Sequence, residues 1–380
     1  MLVRLDSTRS QVRLLSLPPS LTGHLGSFGM MTLAQSHVVG GAKAVLEFVK
    51  ESTGLDVNHL VDLDTDGFVG IVNGLGCVYV DVDRPYQLGI ATANAPNGQL
   101  LAGYQRLCGA TALQYALFAG GGSESLQEAR QQEVLHAMVP QGGVWHDRRK
   151  LVGLFTRYAQ SDISDVRTII KVLGLLMDLQ RAPVESVPFA PAVDSDATSV
   201  EPVGIGRTMR QFLDPPEKSA PTEPRAPRHV RLRHIRLEPS VGRSLRQASG
   251  LPRLYPREMP KGWGLARPRV YKLDGTGDGS PPPGERSSYR WTFRGPVEGE
   301  YSGLQATAWR NPPMLNNPSA QMTHGGRTYK LFYDGGRLRT VAWQTLAGSF
   351  WVSNSLTESL SNRQMIALAN GMTEAGVKPD

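Results

Sequence analysis

The chain has 380 residues, 40% of them hydrophobic and 20% charged, enough apolar material for two domains with cores of their own. That composition excludes a disordered chain, and two cysteines in this length exclude a disulfide-dense scaffold. A net charge of +7 favours anionic partners such as phosphates, pyrophosphates or anionic lipid surfaces, and no nucleic-acid partner is expected from so dilute an excess.

The first residues, MLVRLDSTRSQVRLLSL, alternate as strands do, so Met1 to Leu5 and Val12 to Leu17 read as a hairpin about the polar turn Asp6 to Gln11. They lack the apolar block of a signal peptide, and no run of about 18 apolar residues follows. As written, the chain is expected to carry no export signal or anchor and to begin inside a fold. Gly40 to Asp83 then reads as helix, strand, helix, strand. The first helix spans about Gly41 to Ser52, with Ala42, Val45, Leu46 and Val49 at helical spacing. The strand HLVDLD follows, with His59 at its start read as structural. A second helix begins near Thr65 and buries Phe68, Ile71, Val72 and Leu75, and CVYVDV is the next strand. Cys77 opens that strand and Cys108 precedes a helix; both read as half-buried thiols, and no Cys/His spacing suggests zinc.

Further helices are expected at Gly109 to Ala119, Ser123 to Val139, Lys150 to Gln160 and Ser164 to Leu179. One or two strands and a short helix, GRTMRQFL, lie between Pro183 and Leu213. Residues 214–228, DPPEKSAPTEPRAPR, hold five prolines without periodicity and read as a linker. From His229 to Lys272 a basic run reads as a solvated surface, with contact to an anionic polymer or lipid headgroups as the alternative. Beyond it RVYKL, SYRWTF, YSGLQATAW, TYKLFY, LRTVAWQ and SFWVSN read as strands, with Asp334-Gly335-Gly336-Arg337 turning one hairpin. A last helix, about Ser361 to Met372, presents Met365, Leu368, Ala369 and Met372 on one face. Trp309, Trp343 and Trp351 sit at strand positions where core is the expected role and sugar stacking the alternative. No nucleophile and base signature occurs in this second part. The fold class is therefore α/β, a mixed sheet covered by helices over residues 1–213, followed by an α+β domain at 229–380 with an antiparallel sheet and a terminal helix.

Several segments, in order, resemble one family. RLLSLPPSL is similar to its LLSIPRD segment, HVVGGAKAVLEFVKESTG to its Tyr-x-x-Gly-Gly helix, and GLDVNHLVDLDTDGFVGIVNGLGCVYVDV to its GI-x-IDHYV-x-VDF stretch. LCGATALQYALF is similar to LDGEQALAYVRSR, and EARQQEVLHAM to its RQQ helix. On these residues the first domain, about 1–213, resembles the LytR-CpsA-Psr family, lacking that family's usual N-terminal start. The second domain resembles a module that follows it in some actinobacterial relatives.

The resemblance implies a polyprenyl pyrophosphate lipid in an apolar tunnel, arginines and a carboxylate-held Mg²⁺ at its mouth, and transfer of a sugar phosphate to a hydroxyl on peptidoglycan. Clustered negative charge suits bidentate Arg, and Mg²⁺ would spread charge on the leaving phosphate. Little of that apparatus is present. Pro19 and Ser20 stand at the Arg-Asp of the PRD motif, Thr32 and Ala34 at the Lys and Asn of the KIN motif, and Ala116, Leu117 and Phe118 follow Tyr115 where YVRSR has arginines. In the Asp-x-x-Arg-x-x-Arg-Gln-Gln helix, Glu124 takes the Asp position and Gln127 the first Arg, while Arg130, Gln131 and Gln132 remain.

Losing one Arg that contacts a transferring phosphoryl group costs about 10³-fold or more in rate. The resemblance thus implies Glu124 and Arg130 as candidate catalytic residues and Arg130 and Gln131 as candidate ligand contacts, an ordinary helix surface being the alternative. Three readings stay open. One is a degenerate member that binds polyprenyl-linked glycopolymer or peptidoglycan without efficient catalysis. Another is an active Mg²⁺-dependent phosphotransferase using Glu124, Arg130 and an acid from Asp64 or Asp66. The third is an envelope interaction protein acting through its C-terminal domain. In each, an extracytoplasmic, membrane-associated location is implied by the resemblance alone.

Overall fold

Strand β1 (Leu2–Asp6) pairs antiparallel with β2 (Gln11–Leu15), Leu2 opposite Leu15, as the alternation predicts. The structure is a computed structural model describing residues 1–6, 11–92, 94–120, 123–138, 147–163, 165, 167–171, 184–187, 189, 202–214, 232–235, 245–273 and 286–374. A second hairpin, β3 (Thr22–Leu25) with β4 (Gly29–Thr32), leads into helix α1 (Leu33–Thr53). This helix starts well before the expected Gly41 because Thr32 and Gln35 form a capping box that satisfies its first amides. Gly40 and Gly41 break the helical geometry, Gly41 at φ 59, where a Cβ is disfavoured. The core residues Ala44, Phe48 and Val49 all follow that break.

The expected strand HLVDLD shrinks to β5 (Val61–Asp62), both residues exposed. Helix α2 (Thr65–Gly74) follows, with Asp64 Oδ1 accepting from the Gly67 amide at 2.6 Å. Strand β6 (Val78–Val82) is next, then the short strands β7 (Tyr86–Gln87) and β8 (Gln99–Leu100), and β9 (Gly103–Leu107), which pairs antiparallel with β6. Helices α3 (Gly109–Leu117), α4 (Glu124–Met138) and α5 (Arg148–Tyr158) precede β10 (Gln160–Ser161), the partner of β5. Of the helix expected at Ser164 to Leu179, residues 167–171 are helical and most of the rest lies outside the described residues, as does the expected linker beyond Asp214. Strand β11 (Val184–Val187) runs parallel to β2, and α6 (Pro202–Leu213) follows.

The C-terminal strands are β12 (Leu232–His234), β13 (Leu254–Pro256), β14 (Glu258–Pro260), β15 (Gly264–Leu265), β16 (Arg269–Leu273), β17 (Arg286–Arg294), β18 (Tyr301–Thr307), β19 (Ala320–His324), β20 (Arg327–Asp334), β21 (Arg337–Thr345) and β22 (Gly348–Ser353). Helix α7 (Asn362–Asn370) and β23 (Met372–Glu374) end the described chain. All six strands expected here are present, and Asp334 pairs with Arg337 across the expected turn. The fold is mixed α/β with a C-terminal antiparallel sheet and terminal helix, as the sequence indicates.

The chain divides into two compact units, Met1–Ile71 with Val144–Thr222, and Val72–Gly143 with Glu223–Asp380. In the first, α1 and α6 pack on the β1-β2-β11 sheet through Leu15, Phe48, Val187, Met209 and Phe212. Arg13, fully buried, donates to the Phe212 carbonyl at 3.1 Å and to Gln11 Oε1 at 2.8 Å, so a cation meets the C-terminal carbonyls of α6.

In the second unit the eight-stranded sheet has the order β15-β17-β18-β22-β21-β20-β19, with β16 also on β17. Strand alternation gives it two different faces. Tyr289, Trp291, Phe293, Leu304, Phe350 and Val352 enter a core with Met365, Leu368 and Ala369 of α7. The opposite face carries Arg290, Gln305 and Trp351 against the β6-β9 hairpin. Trp351 and Trp309 share a core with Tyr79 and Tyr104, and Gln305 Oε1 accepts from the Tyr104 amide at 3.1 Å. Trp309, Trp343 and Trp351 are all buried core residues, so the sugar-stacking alternative falls away. Among the described residues no helix is long and apolar enough to cross a membrane.

Candidate functional site

Cys77 and Cys108, expected as half-buried thiols, instead form a disulfide. The β6-β9 register explains it, because Val78 lies opposite Leu107 and the residues just outside that pair are Cys77 and Cys108. Cys77 is also turned out of the α2 helix at φ 66, its amide donating to the Val72 carbonyl at 2.9 Å. The bond thus ties the turn after α2 to the N-cap of α3.

At its other end α3 delivers Tyr115 and Phe118 to a cluster that continues from β6. Asp83 and Arg84 follow β6 directly, and Tyr86 opens β7. Tyr86 is fully buried, packed edge-on against Tyr115 at 5.2 Å and Phe118 at 5.0 Å between ring centres. The Arg84 guanidinium lies 4.6 Å from the Tyr86 ring centre, 5.3 Å from that of Tyr301 and 5.9 Å from that of Phe118. Arg130, reaching in from α4, lies 5.6 Å from both Tyr86 and Phe118 and donates from Nη2 to the Phe118 carbonyl. Two cations therefore share one pair of rings, an arrangement that ring quadrupoles stabilise. Arg84 is half-buried and Arg130 is 2% exposed, so a ligand would meet Arg84 first.

The one carboxylate at the centre is Asp83, which accepts from the Tyr86 hydroxyl at 2.7 Å. Burial pushes its carboxyl up to about 6, against the Tyr86 hydrogen bond and the charges of Arg84 and Arg290. Burial likewise raises the Tyr86 and Tyr115 phenols well above the usual tyrosine value, so both stay protonated. Asp83 Oδ2, Tyr115 Oη and Arg130 Nε are buried without a hydrogen-bond partner. Such groups each carry a desolvation cost that a polar ligand or water would relieve.

Asp83 makes the unit's stability depend on pH, and the sign follows from the raised value. Below about pH 4 both folded and unfolded chains hold the proton; between there and about 6 only the folded chain does, so stability falls as pH rises. Above that window the buried charge costs about 3 kcal/mol. Asp83→Asn is therefore expected to be more stable than the parent at pH 7.5, with the difference shrinking towards pH 4. Urea unfolding of both proteins at the two pH values measures this, and an equal difference at both would sink it.

The residues named from the motifs do not all meet. Leu126, Arg130, Val134 and Ala137 form the buried stripe of α4, so Arg130 is no part of its surface. Glu124 is exposed on the first turn, roughly 120° round the helix from Arg130 at 100° per residue. Gln131 is half-buried beside it. Asp64 caps α2 and Asp66 is exposed in that helix's first turn, while Thr32 caps α1. His59 is exposed, with Nδ1 3.7 Å from Asp162. Asp83 and Arg84 were not singled out from the sequence; the only signal was a charged pair leaving a strand. This donor set does not suit Mg²⁺. Asp83 offers a single unpaired oxygen, and among the described residues no group of three or more His, Cys, Asp or Glu is arranged to hold a metal ion.

The model of the LytR_cpsA_psr family matches residues 1–164. That stretch is similar to the LytR_cpsA_psr family. An uncharacterized protein of Staphylococcus aureus (strain NCTC 8325 / PS 47) is 29% identical over 141 residues, 35% of this chain and 33% of the relative, so the chain matches about a third of that protein's length. Among solved structures, Bacillus subtilis TagT is 19% identical with a TM-score of 0.45, covering 55% of this chain and 82% of its own. The LytR-CPS2A-psr family protein YwtF (TagT) with bound octaprenyl pyrophosphate lipid is 19% identical with a TM-score of 0.43, covering 55% and 80%. A LytR-Csp2A-Psr enzyme from Actinomyces oris is 20% identical with a TM-score of 0.43, covering 55% and 82%. The matched stretch contains Asp83, Arg84, Tyr86, Tyr115, Phe118 and Arg130 and ends before Tyr301.

Proposed function

We propose that this chain is a cell-envelope protein of the LytR_cpsA_psr family that binds a polyprenyl-pyrophosphate-linked glycopolymer destined for peptidoglycan, without efficient transfer. The observation that carries this is the Arg84 and Arg130 pair held on the shared Tyr86 and Phe118 rings. Two guanidiniums fixed on the same pair of rings, with the Asp83 carboxyl beside Arg84 neutral in the more acidic range, suit a doubly charged phosphate head.

Two features support weak chemistry. Arg130 is already engaged by the Phe118 carbonyl, and Ala116, Leu117 and Phe118 bring no cation of their own. Transfer builds charge on the leaving phosphate, and a site with two arginines and no metal-holding carboxylate set among the described residues stabilises that charge poorly. The Cys77–Cys108 disulfide supports a location outside the cytoplasm, where such bonds persist.

The test is incubation of the purified chain with a polyprenyl pyrophosphate and Mg²⁺, following binding and phosphate release separately. Binding weakened by Arg84→Gln and by Arg130→Gln, with no release above background, is the expected result. Release or transfer that Arg130→Ala abolishes would instead establish the active phosphotransferase. No binding at all would favour a protein that works through its C-terminal sheet.

A further inference from the structure

Helix α4 carries Arg130 into the cluster, and it touches the C-terminal sheet near both of its ends. Near its start, the turn between β17 and β18 passes so close that a Cβ on Gly299 would collide with Leu126; Gly299 also sits at φ +85. Near its finish, Glu133 Oε2 pairs with Arg339 Nη2 of β21 at 2.8 Å, and His136 Nε2 lies 3.4 Å from Asp334 Oδ2 at the end of β20. The Glu133, His136 and Asp334 side chains are nearly buried, with exposures of 12%, 9% and 9%. Arg130 lies between these two attachments, one turn after Leu126 and less than one turn before Glu133.

The second attachment is charged, with Arg337 as a further cation near Glu358. Around Arg339 stand the carboxylates of Glu133, Asp334 and Glu358, and Glu358, at φ +53, has a buried Oε1 without a partner. Burial and the Asp334 charge raise the Glu358 carboxyl well above the usual carboxylate range. Removing the Arg339 cation would leave Glu133 without the partner that ties α4 to the sheet. The helix would relieve that by moving, and Arg130 would move with it.

We propose that Arg339 is a positioning residue for Arg130: by holding Glu133 it fixes α4 against the sheet, so that the C-terminal sheet sets how tightly the arginine pair holds an anionic head. The second half of this rests on the pyrophosphate-binding reading above; the first half does not.

The experiment uses the full chain with two readouts. One is the Arg130 Nε–H signal in a nitrogen–proton NMR spectrum, assigned by its disappearance in Arg130→Lys; it needs no ligand. The other is the affinity for geranyl pyrophosphate, a soluble probe. Arg339→Gln and Glu133→Gln are each expected to shift the Arg130 signal and weaken the probe about tenfold, the size of an ordinary coupling between sites. The double variant should lose no more than either single one, because the pair acts as a unit. Arg339→Lys, which keeps the charge, should lie between parent and Arg339→Gln, and it carries the test should Arg339→Gln not fold. An Arg130 signal unmoved in folded variants overturns the positioning role, whatever the ligand does. A signal that moves while the probe binds parent and Arg130→Gln alike overturns the pyrophosphate reading and leaves the positioning role standing. A signal that moves, with affinity lost in Arg130→Gln and unchanged in Arg339→Gln, overturns control of affinity by the sheet.

Discussion

Asp81→Ala is expected to destabilise the unit formed by Val72–Gly143 and Glu223–Asp380 by about 3–5 kcal/mol, the cost of leaving one charge of a buried pair alone. Asp81, on β6, has a side chain only 4% exposed. Its oxygens take Arg290 Nη1 at 3.0 and 3.1 Å, and Oδ2 also accepts from Trp351 Nε1 at 2.9 Å. Arg290 in turn donates to Ser353 Oγ at 2.9 Å. Alanine at position 81 removes the acceptor from a guanidinium and an indole that water cannot reach, so both desolvation costs appear together.

The comparison that isolates the effect is Asp81→Leu combined with Arg290→Met, which removes both charges and is expected to lie much nearer the parent. Lys50 and Asp56, paired at 2.6 Å with both side chains mostly exposed, supply the control: breaking that pair should change little. Urea unfolding followed by tryptophan fluorescence reports all of these. A loss below about 1 kcal/mol for Asp81→Ala would show that the pair is wet and that the β6-β9 hairpin is not seated on the sheet through it.

This pair also marks where the sequence stops being readable. Six of the C-terminal strands announce themselves, because residues such as Tyr289, Trp291 and Phe293 alternate with polar ones and Asp334-Gly335-Gly336-Arg337 permits a tight turn, whereas β12 to β15, β19 and β23 do not. Ser361 and Gln364 form a capping box at α7, a local signal that fixes the helix start. What alternation cannot say is what the second face of a sheet meets. Arg290 and Gln305 meet Asp81 and the Tyr104 amide across more than two hundred residues of chain.

The candidate site was hidden for the same reason. Arg130 is legible as a motif residue with an ordinary helix surface as its alternative, and the packed structure shows Leu126, Arg130 and Val134 on one buried stripe. Arg84 joins it through aromatic faces that come from β7, α3 and β18. HLVDLD fails in the opposite direction. Its alternation is real, but outside β5's two residues it finds no ladder partner, and Val61 and Leu63 remain exposed.

Loss of the Cys77–Cys108 disulfide is expected to cost about 4 kcal/mol, from the chain entropy that closing a loop of this length removes from the unfolded state. The separation is 31 residues, long enough for a substantial effect, and both ends are local anchors. Cys77 sits where the chain leaves α2 in a left-handed conformation, and Cys108 occupies the N-cap position of α3 without a side-chain cap of its own. Reduction therefore frees the N-terminal end of the helix whose C-terminal end supplies Tyr115 and Phe118 to the arginine cluster. Protein prepared in an oxidising compartment should show no thiol reactive to alkylation in urea, and two after reduction. Its urea midpoint should fall on reduction and should match that of Cys77→Ser combined with Cys108→Ser. An unchanged midpoint would mean that the hairpin register alone holds these ends together. In that case, reducing conditions would leave the arginine cluster intact, and the location outside the cytoplasm would lose its physical support in this chain.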